Sequence, residues 1–79
     1  MKIETLAKNQ TIVVEDGKRT LFSYGTPVAQ VRDGKMILAP GALDYSVTTS
    51  KYIYRFIGLN RKGITDAIKN GVITVEEIQ

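Results

Sequence analysis

The chain has 79 residues, 43% apolar and 24% charged, with eleven Lys and Arg against eight Asp and Glu and no cysteine, histidine or tryptophan. Those absences exclude disulfide scaffolds, thiolate nucleophiles, metal sites built on sulfur or imidazole, and histidine general bases. One domain over residues 1–79 fits this length, and it would bury only roughly 60% of the surface its unfolded chain exposes, which leaves little room for a deep enclosed active site.

The first segment, Met1-Lys2-Ile3-Glu4-Thr5, carries an acid and no apolar run, and the longest apolar runs in the chain are three or four residues. Neither a signal peptide nor a membrane span fits this pattern, so a soluble cytoplasmic protein with no membrane contact is the expectation. Ile3 to Ala7 is a candidate edge strand. Two Asp-Gly pairs, Asp16-Gly17 and Asp33-Gly34, each sit between segments rich in β-branched and aromatic residues, a strong hairpin signal. Strands are expected at Thr11 to Glu15, Lys18 to Tyr24, Val28 to Arg32 and Lys35 to Leu38, with Gly25-Thr26-Pro27 turning the chain between the second and third. Ile12 and Val14 alternate with Val13 and Glu15, and Val31 with Gln30 and Arg32, as in a sheet with one covered and one wet face. The alternation breaks at Leu21-Phe22, which leaves the buried face there open.

Pro40-Gly41 ends the sheet, and the period then changes from two to about 3.6 residues. Tyr52, Ile53, Phe56, Ile57 and Leu59 fall in one arc, which predicts an amphipathic helix with Ser46, Thr48 and Thr49 as candidate N-caps. Asn60 can cap a second, shorter helix packed through Ile64, Ala67 and Ile68, and Asn70-Gly71 supplies its stop. Val72 to Val75 reads as a last short strand. The expected fold class is α+β: a small antiparallel β-meander of four to five strands followed by two helices packed on one face.

From Lys51 to Lys69 five cations, Lys51, Arg55, Arg61, Lys62 and Lys69, face one acid, Asp66, so this segment is more basic than the chain as a whole. Helical projection puts Lys51, Tyr54, Arg55 and Gly58 opposite the apolar arc. The candidate macromolecule-binding residues are Lys51, Tyr54, Arg55, Arg61 and Lys62: the cations suit a phosphate backbone or an acidic protein surface, and Tyr54 suits a base or a sugar. The bland alternative is a helix whose solvent face is basic for solubility. Ser46, Thr48, Thr49 and Ser50 with Lys51 place hydroxyls and an ammonium where a helix start attracts anions, although no glycine-rich loop precedes them and capping uses some of the hydroxyls in any case. The acids show no spacing that argues for convergence, and no serine-lysine motif stands in for a histidine-based nucleophile. No catalytic residues, metal ligands or cofactor are expected, and the reading is non-enzymatic.

The stretch Leu21-Phe22-Ser23-Tyr24-Gly25-Thr26-Pro27-Val28-Ala29, followed after a hairpin by Leu43-Asp44-Tyr45-Ser46-Val47-Thr48-Thr49-Ser50-Lys51-Tyr52, resembles a group of small uncharacterised proteins of tailed bacteriophages and prophages. In that group a Ser-Tyr-x-Thr-Pro-Val-Ala strand and turn precede an Asp-Tyr-Ser-x-Thr-Thr-Ser-Lys helix start. The likeness covers about Leu21 to Ile57, and it departs where histidine is frequent after the lysine and this chain has Tyr52. It implies a phage or prophage origin and a small accessory role in the host cytoplasm, and it assigns no functional residue. The leading expectation is a non-catalytic accessory binding protein whose basic helix face engages an acidic macromolecule, with nucleic acid one candidate; the alternatives are a protein-directed inhibitor or modulator of a host enzyme or defence system, and a homodimer through an edge strand.

Overall fold

The computed structural model describes residues 1–78. Six strands, β1 (Lys2–Ala7), β2 (Gln10–Glu15), β3 (Lys18–Ser23), β4 (Thr26–Arg32), β5 (Lys35–Leu38) and β6 (Ile73–Val75), form one sheet in sequence order. The first five are an antiparallel meander. Between β5 and β6 run a 3-10 turn at Ala42–Asp44 and two helices, α1 (Val47–Ile57) and α2 (Arg61–Lys69). The fold is thus α+β, with six strands instead of four to five. The sixth lies parallel to β5, because the two helices carry the chain back to the end from which β5 starts.

Asp16-Gly17 and Asp33-Gly34 close two-residue turns with positive φ at both positions, as their sequences predict. The third such turn is a correction. Tyr24 (φ 53) and Gly25 (φ 78) make it, so β3 ends at Ser23, and Thr26 and Pro27, expected to turn, already belong to β4. Proline fits there because β4 pairs with β5 only from Ala29 onward. Leu21 pairs with Ala29 and Phe22 with Pro27, leaving Val28 as an extra residue opposite them. That bulge is the physical reason the alternation breaks at Leu21-Phe22.

The core lies between the sheet and the helices. Ile12, Leu21, Ala29 and Leu38 form one cross-strand row on the helix side, and Ile53 of α1 and Ile64 and Ala67 of α2 close over them. At the centre of the opposite face, Gln30 is buried rather than wet: its Nε2 donates to Thr20 Oγ1 at 2.9 Å, beside buried Ile37.

Of the three candidate caps for α1 it is Ser46 that acts, its hydroxyl accepting from Thr49 N at 3.0 Å. Gly58 (φ 86) terminates the helix in the left-handed region, its N–H donating to the Tyr54 carbonyl. Gly58, projected onto the solvent face, is therefore the stop of the helix, and Leu59, placed in the apolar arc by projection, lies beyond the helix and is exposed. Asn60 caps α2 by accepting from Gly63 N at 2.8 Å, and Gly71 (φ 78) follows its end. Val72 precedes β6 instead of joining it.

Candidate nucleic-acid interface

Three of the five sequence-predicted residues line one open groove. Val47, Ser50, Lys51 and Tyr54 recur at the spacing of one helical stripe on α1. They face Leu43 and Asp44 of the 3-10 turn and Arg61 at the start of α2, around a volume of about 670 Å³. The groove exists because Gly58 and Asn60 turn the chain within three residues, returning α2 towards the loop that starts α1.

Arg61 spans that return. Its Nη2 donates to Asp44 Oδ1 at 2.9 Å, and its Nη1 reaches the Leu43 carbonyl at 3.4 Å. Asp44, with the neighbouring Tyr54 hydroxyl as a smaller cause, holds the guanidinium protonated beyond its ordinary range. The carboxylate comes from outside the basic segment, so the sequence reading missed it: Arg61 carries its charge into the groove partly neutralised. Lys51 has no ion-pair partner among the described residues.

Lys51 also connects the groove to a second set of residues. Its Nζ lies 5.9 Å from the centroid of the Tyr52 ring, and the Arg55 guanidinium lies 5.6 Å from the same ring. One turn further along α1, Arg19 of β3 sits 5.3 Å from the centroid of Phe56. The aromatic ring beside Lys51 and Arg55 is therefore Tyr52, which also packs against the core as the apolar arc predicts, whereas Tyr54 lines the groove near Arg61. Both are half-buried. Lys51 and Arg55 thus lie over Tyr52 and Arg19 over Phe56 one turn on, while Arg61 sits on the groove side of α1 near Tyr54. Guanidinium and ammonium groups at such distances gain from the ring quadrupole while their outer faces stay in water.

Arg19 was not among the sequence candidates, yet its signal was present. A two-residue turn at Asp16-Gly17 fixes Val14 opposite Arg19, and Val14 shares a face with core residue Ile12, so an arginine there must point to the helix side and reach past it. Lys62 is exposed and does not line the groove.

Most of the hydroxyls at the start of α1 face inward. Thr49 Oγ1 is 2.7 Å from Ser23 Oγ and receives the Ser46 hydroxyl at 2.9 Å, and Ser50 donates to the Leu43 carbonyl at 2.6 Å. Thr48 alone of the four remains exposed. Capping and packing thus account for this cluster. Among the described residues no group of three acidic side chains is placed to hold a metal ion, and no helix is long and apolar enough to cross a membrane.

No curated protein matches the chain, and no solved structure matches it. The model of one family, described as a family of unknown function, matches residues 1–71. With nearly its whole length matched, the chain belongs to that family, DUF8033.

Proposed function

We propose that this is a non-catalytic accessory binding protein, of the phage type that the sequence resemblance implies, whose basic helix face engages an acidic macromolecule, and that this macromolecule is nucleic acid. The observation that carries the reading is the placement of Lys51 and Arg55 over Tyr52 and of Arg19 over Phe56 along α1, with Arg61 and Tyr54 in the adjoining groove. Only Arg61 among these cations has a carboxylate partner within the described residues. Cations held on aromatic platforms keep their positions at little entropic cost and can replace the counterions of a phosphate backbone, while the open groove at Tyr54 offers one ring to an unpaired base. The shallow surface suits a strand or a backbone better than an enclosed small molecule.

Fluorescence anisotropy with labelled single- and double-stranded DNA and RNA tests this. Binding at micromolar protein in low salt, weakening steeply as salt rises, supports it. Absence of binding to all of these probes at micromolar protein in low salt overturns it.

A second reading, a protein-directed inhibitor or modulator acting on a host enzyme, draws support from one feature. Val47, 89% exposed, lines the groove, and half-exposed Tyr45 stands two residues before it in the chain, and apolar side chains in the open are what a protein partner would cover. A host partner retained after nuclease treatment and in high salt, and lost on Val47→Asp, would favour this reading over the first.

A further inference from the structure

At the far edge of the sheet from α2, β1 presents a row of backbone groups with no neighbouring strand among the described residues, and α1 lies over β3 and β4 instead of over β1. Such edges invite strand addition unless their side chains prevent it. Here the side chains favour one occupant. Lys2 and Glu4 share the helix-side face with their partners Val14 and Ile12, and Ile3, 58% exposed, points to the opposite face with Val13. A bulge after Thr5 bends the strand, so the straight part available for pairing is short.

Two copies joined antiparallel across a twofold axis must have that axis perpendicular to the sheet, so each residue meets one that points to the same face. Three registers then use the straight segment. Centred on Lys2, the pairing opposes two ammonium groups, and centred on Glu4, it opposes two carboxylates. Centred on Ile3, it sets Lys2 of each copy against Glu4 of the other and covers Ile3 with Ile3. Like charges directly opposite destabilise an antiparallel pair and opposite charges stabilise it.

We propose that a second copy of the chain adds to the β1 edge about a twofold axis through Ile3, joining two six-stranded sheets with reciprocal Lys2–Glu4 ion pairs. Within one chain Lys2 Nζ and Glu4 Oε1 are 3.6 Å apart, a loose pair between exposed side chains that exchanges partners readily. The perpendicular axis leaves both helix layers on one side of the joined sheet. The dimer therefore carries two basic faces pointing the same way, whatever those faces bind.

Because the edge is short, association should be weak, with dimer forming in the range of about 0.1–1 mM. Analytical ultracentrifugation of the wild-type chain, K2E, E4K and the double exchange K2E/E4K tests the register. K2E sets two carboxylates against two in its own dimer, and E4K sets ammonium against ammonium, so each alone should weaken self-association by about tenfold or more. The double exchange restores opposite charges and should restore the wild-type constant, and an equimolar mixture of K2E and E4K should form a heterodimer. Circular dichroism should be the same for all four, since both positions are at the surface. A wild-type chain that stays monomeric to about 1 mM overturns the proposal. So does a dimer whose constant is unchanged in K2E and E4K, because its interface then lies elsewhere.

Discussion

Ser23 Oγ and Thr49 Oγ1 meet at 2.7 Å across the interior, joining β3 to the first turn of α1. Gln10 Nε2 donates to Ser23 from β2 at 2.8 Å, and Ser46 donates to Thr49 from the cap at 2.9 Å, so one buried polar chain ties two strands to the helix start. The stretches Leu21 to Ala29 and Leu43 to Tyr52 are thereby in direct contact. Their Ser and Thr residues hold α1, and with it Lys51, Tyr54 and Arg55, at a fixed height over the sheet.

Thr49→Val keeps the shape of the side chain and removes the partner of the Ser23 hydroxyl. The expected loss is about 1–3 kcal/mol, the usual cost of an unmade hydrogen bond at a buried site, read by urea denaturation. Thr48→Val, at the exposed neighbour, should stay within about 0.5 kcal/mol of wild type. A Ser23→Ala/Thr49→Val cycle should give a coupling energy of about 1 kcal/mol, and additive single effects would show that the contact contributes nothing.

Tyr24 occupies the left-handed region, φ 53, in a turn that favours asparagine followed by glycine. Tyr24→Asn should raise stability by about 1 kcal/mol, since asparagine tolerates this conformation better than an aromatic side chain does. A destabilised variant would mean that the exposed ring makes a contact that offsets its backbone strain.

This residue also marks the limit of what could be read from the sequence. The Asp-Gly hairpins, the Asn60 cap and the amphipathic stripe of α1 were legible because each depends on a few adjacent residues. The Tyr24-Gly25 turn was not, because tyrosine disfavours positive φ and Pro27 two residues later offers a stronger turn signal. Lys51 and Tyr54 meet in the groove because helical spacing predicts which side chains of α1 share a stripe, and Arg61 joins them from α2 only through the turn at Gly58 and Asn60. Asp44 beside Arg61 and Arg19 beside Phe56 depend on how two helices and a sheet pack, and only the second could have been inferred, by following strand register outward from Asp16-Gly17.

Asp44 competes with any anion for Arg61. Asp44→Asn should strengthen binding to single-stranded DNA in low salt by about two- to fivefold, since it frees one cation and removes one acid. Asp44 raises the guanidinium's proton affinity beyond its ordinary range. A raised value means the charged form, and the stability it contributes, is fully present at every pH below the unfolded value and is lost only in extreme alkali. The contact should therefore be insensitive to pH from neutral to moderately alkaline solution, and a titration of affinity over that range should show no step from Arg61.

Ser46→Ala and Asn60→Ala remove the two side-chain caps and should each cost about 1 kcal/mol in denaturant unfolding. Ser46→Ala should cost more, because its hydroxyl also donates to Thr49 Oγ1. Equal losses would place that second bond outside the stability of the fold.

The account's central claim is that the cations along α1 act together on a polyanion, and the salt dependence of binding measures that most directly. For wild type, the logarithm of the association constant for single-stranded DNA should fall linearly with the logarithm of salt concentration. Lys51→Ala, Arg55→Ala and Arg19→Ala should each weaken binding and flatten that slope by about 0.7, one phosphate contact apiece, while Lys69→Ala at the far end of α2 should leave it unchanged. A slope that none of the three substitutions alters, or that Lys69→Ala alters as much as they do, would contradict a binding face on α1.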